Sequence, residues 1–198
     1  MRPLLSFDTS GAHCAAAILW PSEARSLTVC EDMAKGQAER LLPMIQEMMA
    51  DAGLTLADFA AIGVGVGPGN FTGIRISVAL ARGLALGLGI PAIGVSGFDA
   101  RAYGVDLRDF YAVIPAPRGQ VYAQRFGGVG AAQLLDAAPT DAPALSITDL
   151  SGGQLALAVA HIASQRLGGD TPRPAPFYLR PADAAPPSDP PPIIFADV

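Results

Sequence analysis

Residues 63–75 read GVGVGPGNFTGIR, an apolar strand ending in a Gly-Pro-Gly turn that opens directly onto a long apolar helix. Gly65, Gly67 and Gly69 permit positive φ and close backbone approach, and the helix start that follows carries roughly half a positive charge on its unpaired amides. Residues of these types in this order fit a phosphate site. They fit a tight strand-to-helix turn equally well, and the spacing alone leaves both readings open. No Gly-Lys-Ser or Gly-Lys-Thr closes the loop, so it is not a Walker loop, and GxGxxG is absent. A second group, Asp8-Thr9-Ser10, puts a carboxylate and two hydroxyls at a strand end, where short polar side chains commonly cap local amides.

Other chemistries find little material. His13 and His161 are the two histidines of the chain and lie too far apart in sequence for a helical metal pair; each reads as a hydrogen-bonded or solvated structural residue. No GxSxG nucleophile elbow occurs. Cys14 and Cys30 fall in neighbouring predicted strands and read as reduced residues without a function.

The elements that must position these residues follow from pattern. Residues 4–7, 14–20 and 27–32 read as three strands of an antiparallel meander. A helix is predicted over residues 37–52, with Leu41, Ile45, Met48 and Ala52 on one stripe, Leu42 and Met49 widening it, and Gly53 as its C-cap. Pro43 demands either a late start or a kink. A strand at 60–66, a helix at 71–88 and a strand at 92–95 complete a β-β-β-α-β-α-β order. Further on, residues 110–115 and 120–126 suggest a hairpin around Arg118-Gly119, and a helix is predicted over 154–167. Residues 172–192 hold nine of the 18 prolines and read as an extended tail.

Composition bounds the alternatives. With 198 residues, 51% apolar and 16% charged, the chain can bury a real core as one or two small domains. The apolar run from Ile76 to Ile90 is interrupted by Arg82, so it reads as a buried helix with no role in a membrane. Met1-Arg2-Pro3 passes straight into a strand, which points away from a signal peptide and toward the cytoplasm. Net charge is −5 and the basic residues are scattered, unlike a protein that grips nucleic acid unaided.

PGNFTGIRISVALARGLALGLGIPAIGVS (residues 68–96) resembles the TsaB family of tRNA threonylcarbamoyladenosine biosynthesis proteins, as do Asp8-Thr9-Ser10, AERLLPMI (38–45), PRGQVYA (117–123) and YLRP (178–181). The likeness is dense through about Ser96 and scattered beyond. It implies an α/β chain of actin-like and sugar-kinase-like ATPase (RNase H-like) fold, with a mixed five-stranded sheet in residues 1–99. A smaller, truncated second domain would occupy 100–171, and a Pro-rich tail over 172–198 would pack back on the domains, with Tyr178 and Leu179 as anchors. In such folds Asp8 would hold a metal-bound water and Thr9 and Ser10 would act as donors, with Gly67 and Gly69 completing a nucleotide loop whose activity need not have survived. The catalytic relative, TsaD, binds a metal through a His-x-x-x-His pair that aligns here with Gly97 and Arg101, neither able to serve.

The resemblance therefore implies a non-catalytic scaffold and dimerisation subunit. It would bind TsaD in the complex that forms N6-threonylcarbamoyladenosine at position 37 of tRNA. Its two amino-terminal helices would dock on TsaD through Leu41, Leu42, Ile45, Met48, Met49, Ile74, Val78, Ala81 and Ala85, and the same surface would support a homodimer. A TsaE-type ATPase would join, tRNA would be reached through the complex, and no cofactor or metal would be required, ATP or ADP entering only at the level of the complex. The alternatives are an independent nucleotide-binding ATPase or phosphotransferase of the actin-like superfamily and, further off, a metallopeptidase-like protein.

Overall fold

The computed structural model describes residues 1–128, 130–146 and 150–180. Three antiparallel strands open it: β1 (Leu4–Asp8), β2 (His13–Trp20) and β3 (Arg25–Asp32). β4 (Ala61–Gly65) and β5 (Ala92–Val95) add in parallel on the other side of β1, giving the order β3-β2-β1-β4-β5. With helices between the parallel strands, this mixed five-stranded sheet is the RNase H-like unit of the actin-like ATPases, as expected from the sequence.

Strand alternation sorts the side chains into two layers. Leu5 and Phe7 of β1, Cys14, Ala16 and Ile18 of β2, and Ile62 and Val64 of β4 pack under α1 (Gln37–Ala52) and α2 (Phe71–Leu88) in the main core. The opposite faces of these strands carry Ser6, Asp8, Ala15, Ala17 and Gly63. That small-residue face accepts α4 (Gly152–Arg166), which lies across β1, β2 and β4. A Cβ at Gly63 would sit 3.0 Å from the Ala163 methyl and 3.2 Å from Val159, so glycine sets how close the helix can come. Ser6 Oγ donates to the Ala156 carbonyl at 2.7 Å, satisfying the one hydroxyl this interface buries from β1.

α1 begins at Gln37 and runs on through Pro43, so the late start does not occur. Pro43 and Glu39 are both exposed, which lets water replace the helical bond that proline removes from the Glu39 carbonyl. α2 is capped by Asn70, whose side chain accepts from the Gly73 amide at 2.8 Å. Among the described helices only α2 has the length and hydropathy to cross a membrane; one such helix is weak evidence, and Ile74, Val78 and Ala81 fix it into the core.

A second sheet follows: β6 (Phe110–Pro115), β7 (Val121–Phe126), β8 (Gln133–Leu135) and β9 (Ala144–Ser146), in the order β8-β7-β6-β9. β6 and β7 form the expected antiparallel hairpin, turning through Arg118 at φ 64° and Gly119 at φ 75°. α4, inside the stretch from which a second unit is expected, belongs to the first sheet. A short helix, α3 (Gly97–Ala102), was not foreseen, although Ser96 followed three residues on by Asp99 is a helix-start signature and Ser96 Oγ accepts from the Asp99 amide at 3.0 Å. Of the tail, residues up to Arg180 are described and the rest of the expected segment, Pro181 included, lies outside the described residues. Phe177 ties it down: its amide donates to the Val66 carbonyl at 2.8 Å and its ring meets Phe98 edge-on. Tyr178 stacks on Phe71 with centroids 4.8 Å apart, and Leu179 packs against the core beneath the second sheet.

Candidate functional site

The carboxyl ends of β1 and β4 bring the two sequence motifs together. Asp8 is buried at the end of β1 and its carboxylate is held within its own hairpin. The Ser10 amide donates to Oδ1 at 2.9 Å, the Ser10 hydroxyl donates to the same oxygen at 2.8 Å, and His13 Nε2 lies 2.8 Å from it. A carboxylate only accepts, so His13 is the donor, from Nε2. Burial pushes the Asp8 pKa up, but His13 and Ser10 outweigh it and hold the carboxyl below its ordinary range. Thr9 turns the other way and donates to the Gly73 carbonyl at 2.6 Å. All three side chains are thus hydrogen-bonded within the chain, and only Asp8 caps a local amide, that of Ser10.

The glycine-rich loop packs tightly onto this hairpin. A Cβ at Gly65 would fall 1.8 Å from Asp8 Oδ2, one at Gly69 2.3 Å from the Ser10 carbonyl, and one at Gly73 1.9 Å from the Thr9 carbonyl. Gly67, at φ 93°, is the position that needs left-handed backbone, and the peptide following it to Pro68 is cis. The Asn70 amide, one of the donors an anion would need, already gives its hydrogen to the Ser10 carbonyl at 2.7 Å. The glycines therefore answer mainly to close backbone approach.

Beside this junction lies a cleft of about 530 Å³ between the two sheets, bounded by Ser10 to His13, Ala34, Pro68 to Asn70, Arg101 and the Ile114–Tyr122 hairpin. The Gly97 amide, at the start of α3, donates to the Gly67 carbonyl at 2.7 Å. Arg101 projects from α3 and donates from Nη1 to the Gly97 carbonyl at 3.0 Å. Among the described residues no group of three or more His, Cys, Asp or Glu side chains could hold a metal ion. The sequence singled out Gly97 and Arg101 only as residues unable to bind one; a cation at a cleft edge has no motif, and only the fold shows it.

Cys14 and Cys30 face opposite sides of the sheet, because Cys14 pairs with Glu31 and Cys30 with Ala15. Burial, with Glu31 nearby, pushes the Cys14 thiol up to about 11, and burial raises Cys30 as well, so neither is an activated nucleophile. His161 stacks on Tyr103 with centroids 5.1 Å apart.

The residues expected at a partner interface sit elsewhere than that expectation requires. Leu41, Ile45, Met48, Ile74, Val78 and Ala81 are at most 2% exposed, and Met49 and Ala85 reach 7%, all in the chain's own core. Leu42 alone of the nine is part-exposed. The helical stripes are used within the chain because the sheet beneath them is equally apolar. The outer face of α2 carries Ala79, Gly83 and Gly87 at four-residue spacing, with Leu80 half-buried beside them and Leu86 75% exposed. A Cβ at Gly83 or Gly87 would meet nothing within 4 Å.

Comparison with known proteins bears on this arrangement. A family model described as "TsaD: tRNA N6-adenosine threonylcarbamoyltransferase" matches residues 28–167. The chain is 37% identical over 123 residues to the tRNA threonylcarbamoyladenosine biosynthesis protein TsaB of Escherichia coli, covering 60% of this chain and 52% of that protein. It thus spans about half the length of the first curated relatives it matches. An uncharacterized protein of Mycobacterium tuberculosis is 36% identical over 168 residues, 77% of this chain and 79% of its own. Among solved structures, a Pseudomonas aeruginosa protein described as similar to peptidase YeaZ superposes with a TM-score of 0.73 at 31% identity, over 91% of this chain and 100% of that one. A structure described as YeaZ from the same organism gives 0.73 at 29% identity, over 90% and 100%.

Proposed function

Because the chain belongs to the family described as "TsaD: tRNA N6-adenosine threonylcarbamoyltransferase", we propose that it is a non-catalytic subunit of the machinery forming N6-threonylcarbamoyladenosine at position 37 of tRNA, binding TsaD in the cytoplasm. Relatives named TsaB support the process. The lack of chemistry of its own is supported by Asp8, whose carboxylate is already taken up by Ser10 and His13. With a net charge of −5, the chain reaches tRNA through its partners, and a TsaE-type ATPase brings ATP or ADP to the complex.

The observation that carries the binding role is the outer face of α2. A glycine inside an exposed helix costs about 1 kcal/mol relative to alanine, and Gly83 and Gly87 face open space where any side chain would fit. Their use makes sense where a second helix approaches closely along Ala79, Gly83 and Gly87, with Leu80 and Leu86 at its flanks. The same face would pair two copies of this chain when TsaD is absent.

The test is co-purification of the tagged protein with TsaD, repeated with Gly83→Glu and Leu86→Glu. The expected outcome is a one-to-one complex with the natural sequence, lost in both variants while each remains a folded monomer. Retention of the complex in both variants would place the interface elsewhere. ATP hydrolysis by the chain alone, abolished by Asp8→Ala, would replace the scaffold reading with an ATPase.

A further inference from the structure

A surface pocket of about 310 Å³ lies where the carboxyl end of α2 meets the segment that follows α4. Arg82 and Leu86 line it from α2, and Thr171, Arg173 and Pro174 line it from the later segment. Two exposed arginines thus share one pocket, and no Asp or Glu lines it. Neither guanidinium makes a hydrogen bond or ion pair with another described residue. For Arg82 the sequence of α2 gives the reason. The helix contains no acidic residue, and the positions three and four away, where a helical ion pair would form, hold Val78, Ala79, Ala85 and Leu86. Arg75, the other cation of α2, is by contrast engaged: its Nε donates to Tyr178 Oη at 2.8 Å, and its guanidinium lies 3.9 Å from the centre of the Phe71 ring.

On a free surface, two solvated arginines need no counter-ion, and a small anion between them would be screened by water. Docking changes that balance. Arg82 is the chain neighbour of Gly83 and stands one turn before Leu86, beside the stripe Ala79, Gly83 and Gly87. A helix packed on that stripe at about 8–10 Å between axes also takes water from Arg82. A cation stripped of water without a partner is costly, so a stable complex requires a carboxylate at this edge, and this chain supplies none.

We propose that the helix docking on α2 carries a Glu or Asp whose carboxylate enters this pocket and is held by Arg82 and Arg173, with its methylene stem against Leu86 and Pro174. The proposal rests on the reading of α2 as the face that binds TsaD, and it names the chemistry the partner brings to one edge of that face.

The test is the affinity of the full chain for TsaD, measured by calorimetry. Arg82→Gln and Arg173→Gln should each weaken the complex at least about tenfold, and both should fold as the natural sequence does, since each removes an exposed and unpaired charge. Arg82→Glu should abolish binding. Changing the exposed Glu and Asp residues on the docking helices of TsaD to Arg, one at a time, should then yield a variant that restores binding to Arg82→Glu. Undiminished affinity in both Gln variants, in a complex that Gly83→Glu still breaks, would overturn the acid pairing and leave the α2 face standing. A complex that survives Gly83→Glu would remove the face itself, and the pairing with it. Saturable binding of inorganic phosphate to the free chain, lost in both Gln variants, would overturn the proposal in favour of a small-anion site.

Discussion

Asp8 is a buried carboxylate whose charge is supported by one hydroxyl, one amide and one imidazole. Its folded pKa lies below the ordinary value of 3.8, so the stability it contributes is fully present above about pH 4 and is lost as the pH falls through that value toward the folded pKa. Asp8→Asn keeps the shape and one acceptor oxygen but loses the charge. It should cost about 1–3 kcal/mol in urea unfolding at pH 7, and the gap to the natural sequence should narrow at pH 3. A gap of constant size across that range would mean that the charge contributes nothing. The type and place of Asp8 were legible in the sequence, down to the possibility that it caps its own turn. His13 was not assigned to it, because a pairing five residues apart across a hairpin turn is set by register, and register is invisible until the strands are laid side by side.

The strand–turn–helix unit from β4 to α2 shows why glycine motifs divide opinion when read from sequence. The spacing of Gly65, Gly67 and Gly69 fits an anion loop and a tight turn alike, and what separates them is what each missing Cβ would strike. At Gly65 it would strike Asp8 Oδ2 at 1.8 Å, which is a packing demand imposed by a strand 57 residues away in sequence. Gly65→Ala should therefore destabilise by about 1–3 kcal/mol through overpacking. Combined with Asp8→Ala, which empties the contested space, the loss should be clearly less than the sum of the two single losses in a double-mutant cycle. Additive losses would show that Gly65 matters for its backbone and not for Asp8. Helix bounds were legible nearly to the residue at α1 and α2, because long apolar periods mark both and the Gly53 cap ends the first. The destination of α4 was not, since its pattern of small residues says that something packs closely without saying which sheet.

The five-stranded sheet is covered by helices on both faces, so the amphipathic stripes of α1 and α2 are consumed internally and cannot also be the docking surface. Charge placed on them, as in Met48→Glu or Val78→Glu, removes roughly 1.5–3 kcal/mol of burial and strands a carboxylate in the core, and should unfold the isolated chain. The surface left for a partner is the one whose composition opposes the stability of the free chain. That opposition can be measured at Gly83, where a methyl group meets nothing within 4 Å. Gly83→Ala should stabilise the isolated protein by about 0.5–1 kcal/mol, because alanine loses less backbone freedom on folding. The same methyl group would intrude where a second helix packs against the glycine, so affinity for TsaD should fall. Stability rising while binding falls would be a signature that no purely internal role for Gly83 can produce. Rising stability with unchanged binding would leave α2 without a partner on that face and detach the proposed assembly from this helix.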